Sequence, residues 1–397
     1  MPKVLRIINR FNLGGPTYNA AYLSRYLPDE YETLLIGGAH AESEEDSFHI
    51  TSQLGLEPIT IPEMKRDISP KDDQLAYKKI LQLIDWFKPD IIHTHASKAG
   101  ALGRLAGIRK KVPIIVHTFH GHVFHSYFNK VKTQAYISIE KRLAAYSDAI
   151  IAISPLQKQE LVEQFGIASE SKTKVIPLGF DLRRFKEDQE RKRIEFRKQY
   201  QLESDVIAIG IIGRLVQIKN HDLFLRLAED ILKRTKKKVK FFIIGDGDLM
   251  EDLKQRADQL KLSSKEMPTY DDPLIFTSWI KNIDEAIAGL DIIVMTSKNE
   301  GTPVSLIEAQ AGERAIVSTE VGGIKDIILP GRSGFISPNG DLHGLSDQLF
   351  RLIEEDQLRE EMGKVGYSFV REKFTYQRLA DDVDQLYKNL LRDKNLN

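Results

Sequence analysis

The sequence repeatedly alternates a short apolar, β-branched run with a helical period, and a Gly- or Ser-marked turn separates the two. Runs this apolar are typical of parallel strands that are covered on both faces. The pattern therefore predicts an α/β protein with doubly wound parallel sheets. The predicted strands of the first half are 3–9, 31–37, 57–62, 90–95, 113–118, 148–154 and 174–179. Those of the second half are 206–213, 240–245, 274–276, 291–296 and 315–319.

The chain has 397 residues, and this length favours two domains of roughly 150 to 200 residues each. A charged segment, 179–196, separates the last strand of the first half from the first strand of the second. We predict one Rossmann-like domain over 1–180 and a second over 181–374. A final helix within 375–397 follows them.

Composition excludes several kinds of site. The chain has no cysteine, so disulfides, thiolate metal sites and a cysteine nucleophile are impossible, and a reducing compartment is favoured. Its 57 basic residues balance 57 acidic ones, so the net charge says nothing about partners. We predict no nucleic-acid partner. The first apolar run is too short and too charged for a signal segment or a membrane span. We predict a cytoplasmic protein.

Glycines follow two of the predicted strands. Gly14 and Gly15 come after strand 3–9, and Gly245 begins the turn after strand 240–245. Ligands of open α/β sheets bind at the carboxyl ends of strands, where glycine lets the backbone come close. Neither turn has the spacing of a dinucleotide or P-loop fingerprint. An ordinary tight connection would contain the same residues.

Two cations follow strand 206–213. Arg214 comes directly after it, and Lys219 precedes Asn220, a residue suited to cap the next helix. Arginine can bind a diphosphate bidentately, and lysine can act on it as a point charge. We therefore predict a diphosphate site here. The alternative is a solvated loop with two ordinary surface charges.

The segment NEGTPVSLIE, residues 299–308, places Glu300 and Glu308 on either side of a predicted helix start. Thr302 is the predicted N-cap and Pro303 the first helical residue. The glutamates are then roughly 7 to 8 Å apart along the axis, too far to share a proton. We expect Gly301, Thr302, Pro303 and Val304 to present the helix start to a phosphate, with a polyol beside each glutamate. A nucleotide-sugar has this layout; the alternative is two glutamates that face solvent.

Residues 91–139 contain no Asp or Glu, which suggests an anionic ligand. Six of the ten histidines of the chain also lie there, so zinc is an alternative ligand. No carboxylate lies nearby in sequence to support such a site, and we predict no metal. His120, on the loop after strand 113–118, is expected to face the ligand. The basic residues are Lys98, Arg104, Arg109, Lys110, Lys111, Lys130 and Lys132, and the other histidines are His93, His95, His117, His122 and His125.

Several segments resemble the retaining, GT-B-fold nucleotide-sugar glycosyltransferases of group 1, in particular bacterial enzymes that build polysaccharide and glycolipid repeats. They are Gly14-Gly15, HTHASKAGALGR, HTFHGH, GRLVQIKN, FTSWIKNIDEAIAGLDIIVMTSKNEGTPVSLIEA and VSTEVGGIKDII. The resemblance implies two Rossmann-like domains that face a cleft, with the C-terminal helix crossing back to the first domain. It departs from the family pattern after the donor helix, where Glu313 and Ala315 replace the more usual Gly and Pro.

The resemblance also implies roles for single residues. Glu308 would hold the donor ribose and Glu300 the transferred sugar, while Arg214 and Lys219 would bind the diphosphate. His120 would lie near the reacting sugar. Gly15 would approach the donor, and the segment around Ile280 would meet its base, for which the family favours uridine.

The mechanism implied by the resemblance is transfer on one face of the sugar, without a protein nucleophile, a metal ion or a cofactor. Catalysis would consist of positioning and of stabilising charge on the departing diphosphate. Three alternatives remain: a nucleotide-sugar epimerase on the same fold, a glycoside hydrolase that uses Glu300 and Glu308, and a non-catalytic sugar-binding protein. The epimerase would need acids and bases that 91–139 hardly supplies, and the hydrolase gives Arg214 and Lys219 no role.

In related enzymes the first domain binds the acceptor, here a saccharide or a lipid-linked saccharide. We expect Lys98 and Arg104, at the start of the helix after strand 90–95, to bind an acceptor phosphate beside His120. Further along, aromatic residues interleave with basic ones, which suggests contact with an anionic membrane surface. The alternative is a solvated basic helix whose aromatic residues pack inward. The residues are Phe124, Tyr127, Phe128, Lys130, Lys132, Lys141 and Arg142.

Overall fold

A computed structural model describes residues 1–11, 15–39, 48–65, 67–121 and 130–396, without the side chains of 48–49 and 130–132. The chain divides into two compact units. The first unit comprises Met1–Phe180 and Lys373–Asn397, and the second comprises Asp181–Glu372.

The first unit is built on a seven-stranded parallel sheet of order β3-β2-β1-β4-β5-β6-β7. Its strands are β1 (Lys3–Arg10), β2 (Glu32–Gly38), β3 (Ile59–Thr60), β4 (Ile91–His95), β5 (Ile114–Phe119), β6 (Ala149–Ala152) and β7 (Thr173–Val175). Its helices are α1 (Gly15–Tyr26), α2 (Phe48–Gln53), α3 (Pro70–Phe87), α4 (Ser97–Lys110), α5 (Lys130–Ala145), α6 (Pro155–Gln159) and, from the C-terminal segment, α15 (Tyr376–Asp393).

The second unit is built on a six-stranded parallel sheet of order β10-β9-β8-β11-β12-β13. Its strands are β8 (Ile207–Ile212), β9 (Val239–Ile244), β10 (Leu274–Ser278), β11 (Ile292–Met295), β12 (Ala315–Glu320) and β13 (Gly334–Pro338). Its helices are α7 (Gln189–Gln199), α8 (His221–Arg234), α9 (Met250–Gln259), α10 (Ile283–Gly289), α11 (Val304–Ala311), α12 (Ile324–Ile327), α13 (Leu342–Glu354) and α14 (Asp356–Lys373).

Burial on both faces explains why the strands are apolar without alternation. Val4 of β1 belongs to a core on one face of the first sheet, whereas its neighbour Leu5 belongs to a core on the other. Successive side chains of a strand point to opposite faces, so both faces need apolar residues. The prediction of two doubly wound parallel sheets is confirmed.

The C-terminal helix α15 packs on the first unit, as the sequence predicted. Leu379, Val383 and Tyr387 lie in the same buried core as Val4. Rings from α1 stack on the start of α15, with Tyr26 and Tyr376 only 4.2 Å apart between ring centroids.

Strand β13 was missed by the sequence prediction. It lies at the edge of the second sheet and contains Gly334 and Pro338, two residues that weaken a strand signal. Among the described residues, no helix is both long and apolar enough to cross a membrane.

Candidate functional site

Each sheet reverses its strand order once, and the predicted site residues gather at these two places. In the second sheet β9 and β11 lie on opposite sides of β8; in the first, β2 and β4 flank β1. Ligands of open α/β sheets bind at such a reversal, outside the carboxyl ends of the strands. The second unit contains most of the predicted donor residues.

Lys219 and Glu300 meet at the reversal in the second sheet. Lys219 follows β8, Glu300 follows β11, and the lysine Nζ lies 2.6 Å from the glutamate Oε1. The Ser297 hydroxyl donates to the same oxygen at 2.6 Å. Glu300 therefore has a cationic partner, and Ser297 is a second partner that sequence reasoning missed. The sequence indication for Ser297 was a polar residue directly after the predicted strand 291–296.

The loop between β11 and α11 is longer than predicted. Helix α11 begins at Val304 with Pro303 in the N-cap position, so Thr302 is not the N-cap and Pro303 is not helical. The helix has no acidic residue in its first turn and no side-chain cap. Its N-terminus therefore keeps the positive end of the helix dipole, which suits an anion.

Gly322 and Gly323 pack closely against the backbone of the loop between β11 and α11. A Cβ on Gly322 would lie 1.8 Å from the carbonyl oxygen of Glu300, and one on Gly323 would lie 2.1 Å from that of Gly301. The Gly323 amide also donates to the Glu300 carbonyl at 3.1 Å. The backbone beside Glu300 therefore depends on these glycines. Paired glycines after β12 were the sequence signal, but the prediction gave them no role.

Glu308 lies in α11 near a cation that the sequence did not indicate. Its carboxylate is 3.6 Å from the guanidinium of Arg184, and 18% of the glutamate side chain is exposed. Burial raises the pKa of Glu308 to about 7, and Arg184 acts in the opposite direction. Arg184 belongs to the charged segment that was interpreted only as a domain boundary. No local pattern distinguishes it from its charged neighbours.

The other predicted donor residues have varied surroundings. Arg214 is exposed, and within the described ranges no side chain pairs with it. Ile280 is half-buried in the loop that follows β10. Gly245 has a φ of 148°, and a Cβ there would lie 2.0 Å from the Gly213 carbonyl oxygen. Gly245 therefore allows the ends of β8 and β9 to approach each other.

Two residues in turns of this unit, Asn220 and Glu313, take a left-handed backbone conformation. Asn220 precedes α8 as predicted, but it has a φ of 52° and its side chain caps nothing. Glu313 has a φ of 60° and pairs with Lys186 at 2.6 Å. The turn after the donor helix thus takes the left-handed conformation that favours the glycine more usual in the family.

In the first unit, Gly15 is the first residue of α1, whereas Gly14 lies outside the described residues. His120 follows β5, and its Nε2 lies 2.9 Å from His95 Nδ1. Burial lowers the pKa of His120 to about 3. The ring is therefore neutral at physiological pH.

Arg104 is not available to an acceptor phosphate, so this part of the prediction is wrong, and Lys98 already has protein partners. Arg104 is fully buried and pairs with Glu140 at 2.6 Å. Lys98 pairs with Asp73 at 2.5 Å and also donates to two backbone carbonyls of 65 and 67. The acid-free stretch 91–139 ends one residue before Glu140. The sequence analysis therefore did not identify Glu140 as the partner of Arg104.

Histidines 93, 95, 117 and 120 lie on or just after β4 and β5. Within the described ranges, no group of three or more histidine or carboxylate side chains could hold a metal ion. His122, His125 and the aromatic residues Phe124, Tyr127 and Phe128 lie outside the described residues.

Comparisons with known proteins agree with this architecture. Residues 192–369 match the family described as glycosyl transferases group 1, and residues 13–184 match glycosyltransferase family 4. The two matches together cover most of the chain, which is a GT-B glycosyltransferase.

Relatives resemble it over most of its length. It is 27% identical over 335 residues to the UDP-Gal:alpha-D-GlcNAc-diphosphoundecaprenol alpha-1,3-galactosyltransferase of Escherichia coli, with 84% of each chain covered. It is also 27% identical over 341 residues to the capsular polysaccharide biosynthesis glycosyltransferase CapM of Staphylococcus aureus, covering 83% of this chain and 84% of CapM. Among solved structures, Anabaena HepE in complex with UDP has a TM-score of 0.79 at 19% identity, covering 98% of this chain and all of HepE, which shows the shared fold.

Proposed function

We propose that this enzyme transfers a sugar, with retention of configuration, from a UDP-sugar to a saccharide or lipid-linked saccharide in polysaccharide or glycolipid synthesis. The observation that carries the proposal is the Lys219–Glu300 pair at the strand-order reversal of the second sheet. The E. coli relative uses UDP-Gal by its name, and HepE was solved with UDP.

In this proposal the diphosphate lies between Lys219, Arg214 and the uncapped start of α11. Lys219 already neutralises Glu300 at 2.6 Å, so a phosphate can approach without meeting an unpaired carboxylate. Glu300 then accepts hydrogen bonds from sugar hydroxyls, and Glu308 accepts them from the ribose. The Ile280 segment contacts the base.

The chemical step forms a bond from the acceptor hydroxyl oxygen to the anomeric carbon, on the face that the diphosphate oxygen leaves. The hydroxyl proton passes to that departing oxygen, so no protein nucleophile is required. Lys219, Arg214 and the α11 dipole stabilise the charge that grows on the diphosphate. These groups replace a metal ion, and we propose that the reaction needs none.

The first test offers the enzyme UDP-galactose, UDP-glucose and UDP-N-acetylglucosamine, and measures thermal stabilisation and slow UDP release. A UDP-sugar that serves as donor should stabilise the enzyme against heat and should slowly release UDP. The hydrolase and sugar-binding alternatives predict no UDP release, and an epimerase would convert the sugar without releasing UDP.

A matched pair of variants tests the site itself. Lys219→Ala should lower the rate of UDP release roughly 10²- to 10³-fold, because it removes transition-state charge stabilisation. Lys233→Ala is the control, since Lys233 pairs with Glu229 at the same 2.6 Å but on an exposed helix face. Equal rates in the two variants would refute the assignment of Lys219.

Membrane contact is a second proposal, supported by the exposed surface of α4 and α5. Three large apolar side chains are exposed on these helices or directly after α5, namely Leu105, Ile139 and Tyr146, and the cations Arg109 and Arg142 are also exposed. Glu140 is the only acidic residue of the two helices, and it is buried. An apolar and cationic surface of this kind suits anionic lipid headgroups.

Sedimentation with phosphatidylglycerol vesicles at low salt tests this second proposal. Binding should weaken as salt rises, and the double variant Arg109→Glu, Arg142→Glu should abolish it. The double variant Lys233→Glu, Lys236→Glu, at two exposed positions of the second unit, is the charge-matched control. Equal binding to neutral phosphatidylcholine vesicles, or no effect of the double variant, would refute an electrostatic membrane contact.

A further inference from the structure

The His95–His120 pair has two ring nitrogens that find no partner among the described residues. His95 Nδ1 and His120 Nε2 are 2.9 Å apart. The outer nitrogens, His95 Nε2 and His120 Nδ1, are buried and make no hydrogen bond in the described part of the chain. Because an unsatisfied buried polar group destabilises a fold, this pair is incomplete as it stands.

The hydrogen bond between the rings links their protonation. Burial lowers the pKa of both imidazoles, so both are neutral at pH 7 and each has one N–H and one lone pair. If His95 donates, both rings are protonated on Nδ1; if His120 donates, both are protonated on Nε2. The two rings therefore always share one tautomer. In either case one outer nitrogen is a donor and the other is an acceptor.

The ring of His93 and its partners fix the position of the His95 ring, but they give His95 Nε2 no hydrogen bond. The ring of His93 stacks on that of His95 with centroids 4.3 Å apart. Arg6 and the Tyr387 hydroxyl of α15 both approach His93 Nδ1, at 3.0 and 2.6 Å. Since Arg6 only donates, His93 carries its proton on Nε2 and donates to Thr118 Oγ1 at 2.7 Å.

We propose that His95 is a positioning residue that sets whether His120 donates or accepts a hydrogen bond at Nδ1, and that the partner there is a sugar hydroxyl. His120 is the partly exposed member of the pair, whereas His95 is fully buried. A hydroxyl both donates and accepts, so it completes either tautomer. A phosphate only accepts and would complete one. The identity of the ligand rests on the proposed function, but the coupling of the two rings does not.

The coupling is tested by NMR of the full-length protein labelled with ¹⁵N-histidine. The ring nitrogen shifts report the tautomer, and the variants His95→Gln and His120→Gln assign the signals. At pH 7 the two rings should be neutral and show equal tautomer populations. Unequal populations, or a protonated ring, would overturn the proposal. This measurement needs no substrate, so it stands even if the enzyme binds no UDP-sugar.

The positioning role is tested with His95→Phe, which keeps an aromatic ring against His93 but removes both nitrogens. The His120 tautomer populations should then change, and UDP release should slow about five- to tenfold, the effect of one lost hydrogen bond. His95→Asn, with an amide near the former Nδ1, should restore part of the rate if His95→Phe folds poorly. Unchanged His120 shifts in a folded His95→Phe variant would overturn the proposal.

A control and a ligand titration complete the test. His117→Phe alters another fully buried histidine, one that bonds to Thr94 instead of His120, and should leave the His120 tautomer unchanged. UDP-galactose and UDP-glucose should shift the His120 nitrogens, whereas UDP alone should not. The same shift with UDP would assign the effect to the nucleotide and overturn the sugar hydroxyl as the partner.

Discussion

Replacing Glu308 with Gln should stabilise the protein while weakening donor binding. Burial raises the pKa of this carboxyl from 4.5 to about 7. A difference of one in pKa corresponds to about 1.4 kcal/mol, so ionising Glu308 costs roughly 3 kcal/mol more in the folded protein than in the unfolded chain. Because 18% of the side chain is exposed, solvent and relaxation reduce the expected gain to about 1 to 3 kcal/mol.

The pH dependence has a definite sign. Since the folded pKa is the higher one, the stability that protonated Glu308 contributes is fully present below pH 4.5 and is lost as pH rises through about 7. Glutamine cannot ionise. The stability advantage of Glu308→Gln should therefore be small at pH 5 and reach its full size at pH 8. At pH 8 the substitution should raise the Tm by roughly 2 to 12 °C for a unit of this size.

Thermal unfolding at several pH values measures the change in stability, and calorimetric titration with UDP measures the change in donor affinity. UDP affinity should fall about 10- to 150-fold, because a charge-assisted hydrogen bond to the ribose is lost. Glu320→Gln is the control, with a half-exposed side chain in the same unit. Parallel Tm curves for wild type and variant would refute the burial argument, and unchanged UDP affinity would refute the ribose assignment.

Three further outcomes are expected. UDP release should continue in excess EDTA, because in the proposed mechanism side chains and a helix dipole neutralise the diphosphate; loss of activity that magnesium restores would contradict this. Arg104→Leu should destabilise the fold by about 3 to 5 kcal/mol in urea unfolding, because Glu140 is left buried and unpaired, and the added change Glu140→Leu should recover most of the loss. Glu313→Gly should be more stable than Glu313→Ala, since both lose the partly exposed ion pair but only glycine relieves a left-handed conformation that costs other residues about 1 to 2 kcal/mol; the reverse order in thermal unfolding would contradict that reasoning.

The sequence by itself determined the two parallel sheets and their strands except β13, and it indicated the positions of the candidate binding residues. Strands such as 291–296 are buried on both faces, so their consecutive residues must be apolar, and such a run can be recognised in the sequence. Glycines, cations and the helix start at 299–308 follow strand ends, and in a parallel sheet those ends lie on one side. Local sequence was therefore sufficient to indicate Lys219, Glu300 and Glu308 as candidates.

Only the tertiary structure decided which charges meet. Lys219 pairs with Glu300 across 81 positions because β8 and β11 are neighbours in the sheet. Arg184 reaches Glu308 from a segment without a distinctive pattern. Arg104 resembled a ligand-binding cation in sequence, yet it is buried against Glu140 of the next helix. Strand order and helix packing are set by long-range contacts, so no local pattern could show whether a cation was free for a ligand or already paired.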